Sequence, residues 1–448
     1  MRPSSLVLIQ TRIGGADSSQ VTAVTEQPTG ERTGQPTGQL ATLVSGLRNR
    51  AFRKLWLSQV VSEVGDWAAR LALTTVVYAR TGSATWAALI TVSGLLPMLG
   101  PGQLLASMAD RVDRRLVLVS ADALRALVFG VLAFTTPGTS VLLVISVLAG
   151  LATVPFEAAR SAATLDVTPP EQLPAAMSLG QATQSLALVV GWGVGGLLLV
   201  GIGARGAFAV NATTFLLSAV LLSRLPSLRM HAEVDDVDVD HAPRSAGRRL
   251  LAAAQAVSTE PLVRRAALVA VLAVGPATAA EALIVPFVSR TWSSHPSLAA
   301  ALLAGGAALD LLLTVAIRCT LPPEQLLRIA AWCSAGPAAV AVVLFSAGNP
   351  VLSAAGFVVA SMSLTAIAPA SAALAPRLPA RLRASCFTVL ATALTLTQVV
   401  LSTVGGAVAD ALGTTVAARG LMLLPVAAGL AAVLSTTPRT LPELEPAR

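Results

Sequence analysis

Charge is scarce in this chain: Asp, Glu, Lys and Arg together make up 12% of its 448 residues, about half the share found in a soluble domain. With 54% hydrophobic residues and a mean hydropathy of +0.73, that charge cannot cover an ordinary soluble surface. Histidine is equally scarce. Two of the three, His231 and His241, lie in one polar stretch, and His295 stands apart, which leaves little for metal or acid–base chemistry. Cys319, Cys333 and Cys386 fit neither a metal spacing nor a disulfide framework, so they read as small buried apolar residues. No metal and no cofactor are expected. Aromatics are 4% of the chain, and its basic residues sit in short loops between apolar runs. The net charge of +8 therefore does not describe a nucleic-acid surface, and nucleic acid is not expected as a partner.

What the chain has in abundance is long apolar runs, which predict a polytopic all-α membrane protein. Twelve transmembrane helices are expected, at about 55–78, 85–108, 116–134, 141–157, 176–200 and 207–222, then 266–288, 298–317, 327–345, 351–375, 385–408 and 414–434. Residues 1–47, rich in Thr, Gln, Gly and Ser, read as a disordered cytoplasmic tail. Two six-helix halves follow, 48–223 and 266–435. Between them 224–265 is a hydrophilic linker, and 436–448 is a second cytoplasmic tail. Thr168-Pro169-Pro170-Glu171 reads as a helix start, with a capping residue, proline in the first turn and an acid at the third position.

Between the second and third spans lies a knot of charge: Asp110, Arg111, Asp113, Arg114 and Arg115. A loop so short and charged must sit in water, and its arginines place it on the cytoplasmic side. Most other basic loop residues fall on that same side. The outer loops hold Arg80, Arg205, Arg290 and Arg419, so both termini and the linker are expected inside, in a multi-pass protein of the cell membrane.

Asp110-Arg111-x-Asp113-Arg114-Arg115 resembles the loop signature of the major facilitator superfamily of secondary transporters. The stretch from Asn49 through Gly65-Asp66-Trp67, and Arg160 to Leu179, is similar to the branch holding siderophore and macrolide exporters. The resemblance implies the major facilitator fold, transport by alternating access, and Asp110 at the start of the eleventh span near Ser385. It also implies that Arg114 reaches Glu157 at the cytoplasmic end of the fourth span.

Ionisable groups at membrane depth cost several kcal/mol unless paired or hydrated, so they mark function. Glu63, Asp66 and Arg70 share one face of the first span at spacings of three and four. Glu63, Asp66, Glu281 and Asp310 are the proton-coupling candidates. Asp66 with Arg70 also reads as a self-neutralising pair. Asp122 and Arg125 read as a pair near the cytoplasmic end of the third span, grouped with the charged loop and Glu157 as gating residues. Glu281 is flanked by Pro276 and Pro286, where a helix can break. Arg70, Gln181, Gln184 and Gln398 are the polar candidates for a substrate cavity.

The expected function is secondary active transport. Proton-coupled export of a small amphiphilic molecule (an antiporter working as a monomer, with bilayer, substrate and protons as its partners) is the leading form. A membrane-embedded lipid-modifying enzyme is the alternative; it would need an acid or histidine cluster at one interface, and the histidines do not supply one.

Overall fold

The computed structural model describes residues 46–100, 102, 105, 112–228, 242–293, 295–318, 325–379 and 381–436. Residues 1–45 and 437–448, Asp110, Arg111, Cys319, His231 and His241 lie outside the described residues, and so does the expected contact of Asp110 with the eleventh span.

Every regular element described is helical. Helix α1 (Arg50–Thr81) starts where the Asn49 side chain accepts from the amides of Ala51 and Phe52, and stops at Gly82, which takes φ 62°. Next come α2 (Ala84–Ser93), α3 (Arg114–Phe134), α4 (Thr139–Val167), α5 (Leu173–Gly201) and α6 (Gly203–Ser223). After the gap in description stand α7 (Ala242–Thr259), α8 (Pro261–Ala282), α9 (Ile284–Thr291), α10 (Pro296–Arg318) and α11 (Leu326–Ser346). The chain ends with α12 (Pro350–Ser361), α13 (Ile367–Leu374), α14 (Arg383–Leu412) and α15 (Thr414–Thr436). Among the described residues ten helical segments are long and apolar enough to cross a membrane. The 32-residue α1 is not one of them, since it carries Glu63, Asp66, Arg70 and Arg80.

Several boundaries differ from the sequence expectation, each for a local reason. α4 runs ten residues beyond 157, because Arg160 and Asp166 continue the helix into water rather than ending it. Thr168 caps nothing: Pro169 and Pro170 supply no amide, a 3-10 turn at Pro170–Gln172 intervenes, and the buried Thr168 hydroxyl has no hydrogen-bond partner. The seventh expected span is broken at Leu283, and a 3-10 turn at Met362–Ala366 interrupts the tenth. Part of the expected linker is the helix α7, whose Ala253 packs with Val263, Ala266 and Leu390.

The helix ends sort into two faces. At one, Asn49 Nδ2 donates to the Val167 carbonyl at 2.5 Å, Lys54 Nζ to the Arg224 carbonyl at 2.7 Å, and Arg115 Nη1 to the Leu225 carbonyl at 3.1 Å. This is the arginine-rich face. At the other, Arg80 Nη1 donates to the Pro137 carbonyl at 2.6 Å. α1 packs on α5 and α6, and α3 on α6; in the later part α11 packs on α15 and α8 on α14. These two groups of helices meet where α2 lies on α14 and α5 on α10.

Candidate functional site

A cavity of about 200 Å³ lies between the two groups of helices. Its walls are Trp67, Arg70, Leu71 and Thr74 of α1, Thr91 and Val92 of α2, Leu95, and Trp192 of α5. From the later helices come Thr278, Glu281, Ala282, Val285, Leu303 and Gln398. The two indoles stand 5.3 Å apart at a tilt of 55°. They can do so because a Cβ at Gly191 would lie 2.5 Å from Trp67 Cβ, and one at Gly195 2.9 Å from the Ala68 Cα. Glycine at both places lets α5 reach α1.

Among the described residues the cation in this wall, Arg70, is already occupied. Arg70 Nε lies 3.2 Å from Asp66 Oδ2, and the guanidinium sits 4.7 Å from the Trp67 ring centre. Across the cavity Glu281 has Ser361 as its hydrogen-bonding neighbour and Asp310 as its charged neighbour. Asp310 accepts a 2.5 Å bond from the Thr365 hydroxyl. Among the described residues neither acid forms an ion pair. Glu63 faces a different environment: one carboxylate oxygen accepts from Gln59 at 2.9 Å, while the other is buried without a partner.

Arg70 and Gln398 thus share the central cavity. Gln181 and Gln184 do not: they line a separate cleft with Trp56, Gln59 and Arg160, toward the arginine-rich face. Glu157 also departs from expectation. Its carboxylate is held 2.5 Å from Arg160, one turn along its own helix, so the expected Arg114–Glu157 contact is not made. Arg114 pairs with Asp166 instead, which the longer α4 brings to the helix end.

The described part of the charged loop binds its own side of the molecule. Asp113 caps α3 by accepting from the Arg115 amide at 2.9 Å, and its other oxygen accepts from the Ser227 hydroxyl at 2.8 Å. Partial burial pushes the Asp113 carboxyl up, but the bonds from Ser227 and from the amides of Arg115 and Leu228 outweigh it and leave it below the usual carboxylate range. Asp122 and Arg125 sit two turns inside α3, not beside the loop. Arg125 lies 2.5 Å from Asp122, between the rings of Phe156 and Phe215 at 4.2 and 4.5 Å, and Ser218 donates to Asp122 at 2.5 Å. That arrangement pins α3 to α6 and α4 in a fully buried ion pair.

Sequence reasoning missed Asp410 and gave Arg290 only a place in a loop. At the face away from the charged loop, Asp410 accepts from the Ser83 hydroxyl at 2.6 Å and from the Ala84 amide at 2.7 Å. It also accepts from the Thr85 amide at 3.0 Å and the Thr85 hydroxyl at 2.8 Å. Arg290 joins at 3.1 Å. The available signal was an aspartate in the last turn of a helix, where its own dipole disfavours it. Among the described residues no cluster of His, Cys, Asp or Glu is placed to hold a metal ion.

Helices of membrane length around a central cavity with charged groups in its wall are the architecture of a multi-pass membrane protein. The profile of the Major Facilitator Superfamily matches residues 55–317, more than half of the chain, and the chain belongs to that superfamily. It is 26% identical over 178 residues to the uncharacterized MFS-type transporter YfiS of Bacillus subtilis, covering 40% of this chain and 42% of that one. It is 32% identical over 188 residues to the multidrug efflux pump Tap of Mycobacterium tuberculosis, covering 40% and 44%. The matched region is thus less than half the length of either curated relative. Two solved structures share the fold. One is a bacterial homolog of the human lysosomal transporter Spinster, inward-facing and unoccupied (TM-score 0.67, 15% identity, 90% of this chain and 98% of that one). The other is the nucleoside transporter NupG (TM-score 0.66, 11% identity, 86% and 98%). The family, the curated relatives and the solved structures named here are all transporters.

Proposed function

We propose that this chain is a secondary active transporter that works by alternating access and exports a small amphiphilic molecule in exchange for protons. Twelve spans form two six-helix halves, 48–223 and 266–435, joined by the linker 224–265. Both termini and the linker face the cytoplasm, the protein resides in the cell membrane, and it acts as a monomer.

The supporting observation is the contrast inside the central cavity. Trp67, Trp192 and the aliphatic wall suit the body of an amphiphile, such as a drug or a macrolide-like or siderophore-like compound. Glu281, bordered by Asp310 and in no ion pair among the described residues, suits a proton, or a positive group on the substrate, taken up in turn. The similarity to an efflux pump favours export.

Accumulation of a panel of amphiphilic drugs in cells with and without the protein, at two external pH values, tests this reading. Lower accumulation with the protein, and a dependence on pH, are expected. Equal accumulation across the panel would defeat export, and equal export at both pH values would defeat proton coupling. An Ala242→Cys variant labelled by an impermeant reagent from outside intact cells would overturn the topology.

A further inference from the structure

We infer that Asp410, Arg290 and the start of α2 form a polar latch that holds the outer face closed and must open in every cycle. Four separate stretches of chain meet there: the end of α1, the start of α2, the end of α9 and the end of α14. Alternating access supplies the role of this cluster, while its contacts stand without that reading.

An aspartate two residues before the end of α14 faces the carbonyl end of its own helix, which costs stability. Its position is repaid across the interface, because α2 begins at that point with unpaired amides that favour a negative charge. One carboxylate receives the Ala84 and Thr85 amides and the Ser83 and Thr85 hydroxyls. Arg290 supports it from a third helix and also donates to the Tyr78 hydroxyl at 2.9 Å and the Ala409 carbonyl at 3.0 Å. The backbones must come close for this to form. A Cβ at Gly406 would lie 2.7 Å from the Thr85 Cα and 2.9 Å from the Ala84 carbonyl, so only glycine lets α14 sit on the start of α2.

Exposure separates a latch from a permanent weld. The side chains of Arg290 and Asp410 are 37% and 29% exposed, so water can replace each bond as it breaks. The Asp122–Arg125 pair, at 0% and 6%, has no such substitute. Directly beneath the latch lies the apolar cluster that contains Tyr78, Ala84, Phe287, Val288 and Ala409, with residues from both groups of helices. That layer closes the cavity roof, and the polar bonds above it fix the register in which it closes.

The test uses the full chain with its three cysteines replaced by serine and a single Thr91→Cys in the cavity wall. An impermeant maleimide is applied to right-side-out and to inverted vesicles, with no substrate present. Asp410→Asn should raise labelling from the latch-bearing face about tenfold, the population change expected from losing a charge-assisted bond. Ser83→Ala with Thr85→Val, which removes two hydroxyl donors and unpairs no charge, should raise it several-fold. Size-exclusion profiles matching the parent establish that the variants are folded. Parental labelling rates in folded Asp410→Asn, or in the double variant if Asp410→Asn does not fold, would overturn the latch. Because labelling needs no transported substrate, a protein that exports nothing in the accumulation assay would still report whether the latch exists.

Discussion

The acids of α1 to α6 and those of α8 to α13 are treated differently by the chain. In the first group Asp66, Asp122 and Glu157 each have an arginine three or four residues further along the same helix. In the second group Glu281 and Asp310 have hydroxyls, from Ser361 and Thr365, and each other. Local pairing makes Asp66, Asp122 and Glu157 self-contained, so each keeps its arginine while its helix moves as a body. Among the described residues the second set has no ion-pair partner, which leaves protonation or a cationic ligand as the means of lowering its cost. Two acids of the first group depart from this pattern: Asp166 pairs with Arg114 of another helix, and Glu63 has Gln59 on one oxygen and nothing on the other.

Breaking the buried pair gives the largest expected effect. Asp122→Asn strands Arg125 between two phenylalanine rings and should lower stability by about 3–5 kcal/mol, read as loss of monodisperse protein on size-exclusion chromatography. Wild-type yield from this variant would abolish the contrast between the groups. Next comes Glu281→Gln, which should leave that yield unchanged. Proton-driven transport should fall at least about tenfold and lose its pH dependence, because the amide keeps the hydrogen bonding and cannot titrate. If instead pH dependence survives in Glu281→Gln and disappears in Asp310→Asn, the two acids exchange roles and the comparison is sharpened. Glu63→Gln should reduce transport by a smaller factor, roughly two- to fivefold, in line with the loss of about one ordinary interaction. Unchanged transport would confine coupling to the later helices. The smallest effect belongs to Arg114→Gln, which breaks a partly exposed pair with Asp166 at the arginine-rich face. Surface pairs contribute about 0–1 kcal/mol, so its melting temperature should stay within a few degrees of the parent.

The membrane class was legible because apolar runs of membrane length are rare outside bilayers, and the helix break beside Glu281 was legible in Pro286, while Pro276 stays inside α8. Arg70 and Gln398 line the central cavity together. The end of α4 was not legible. A charge in an apolar run looks the same whether it ends a helix or carries it past the membrane surface, and Arg160 and Asp166 do the latter. Glu157 was consequently given the wrong arginine. Asp410 was illegible for a different reason: its partners Ser83, Ala84 and Thr85 lie more than three hundred residues away, and no local pattern connects them.

The interruption at Leu283 has a mechanical meaning. Pro286 has no amide to give the Ala282 carbonyl, and the chain tightens there into a bond from the Leu283 amide to the Ala280 carbonyl. Glu281 lies just before this joint and Arg290 in the last turn beyond it, about 14 Å apart along a helix rising 1.5 Å per residue. The segment therefore bends most cheaply between its acid and its arginine, and α9, two turns long, is an arm with the joint at one end and a guanidinium at the other.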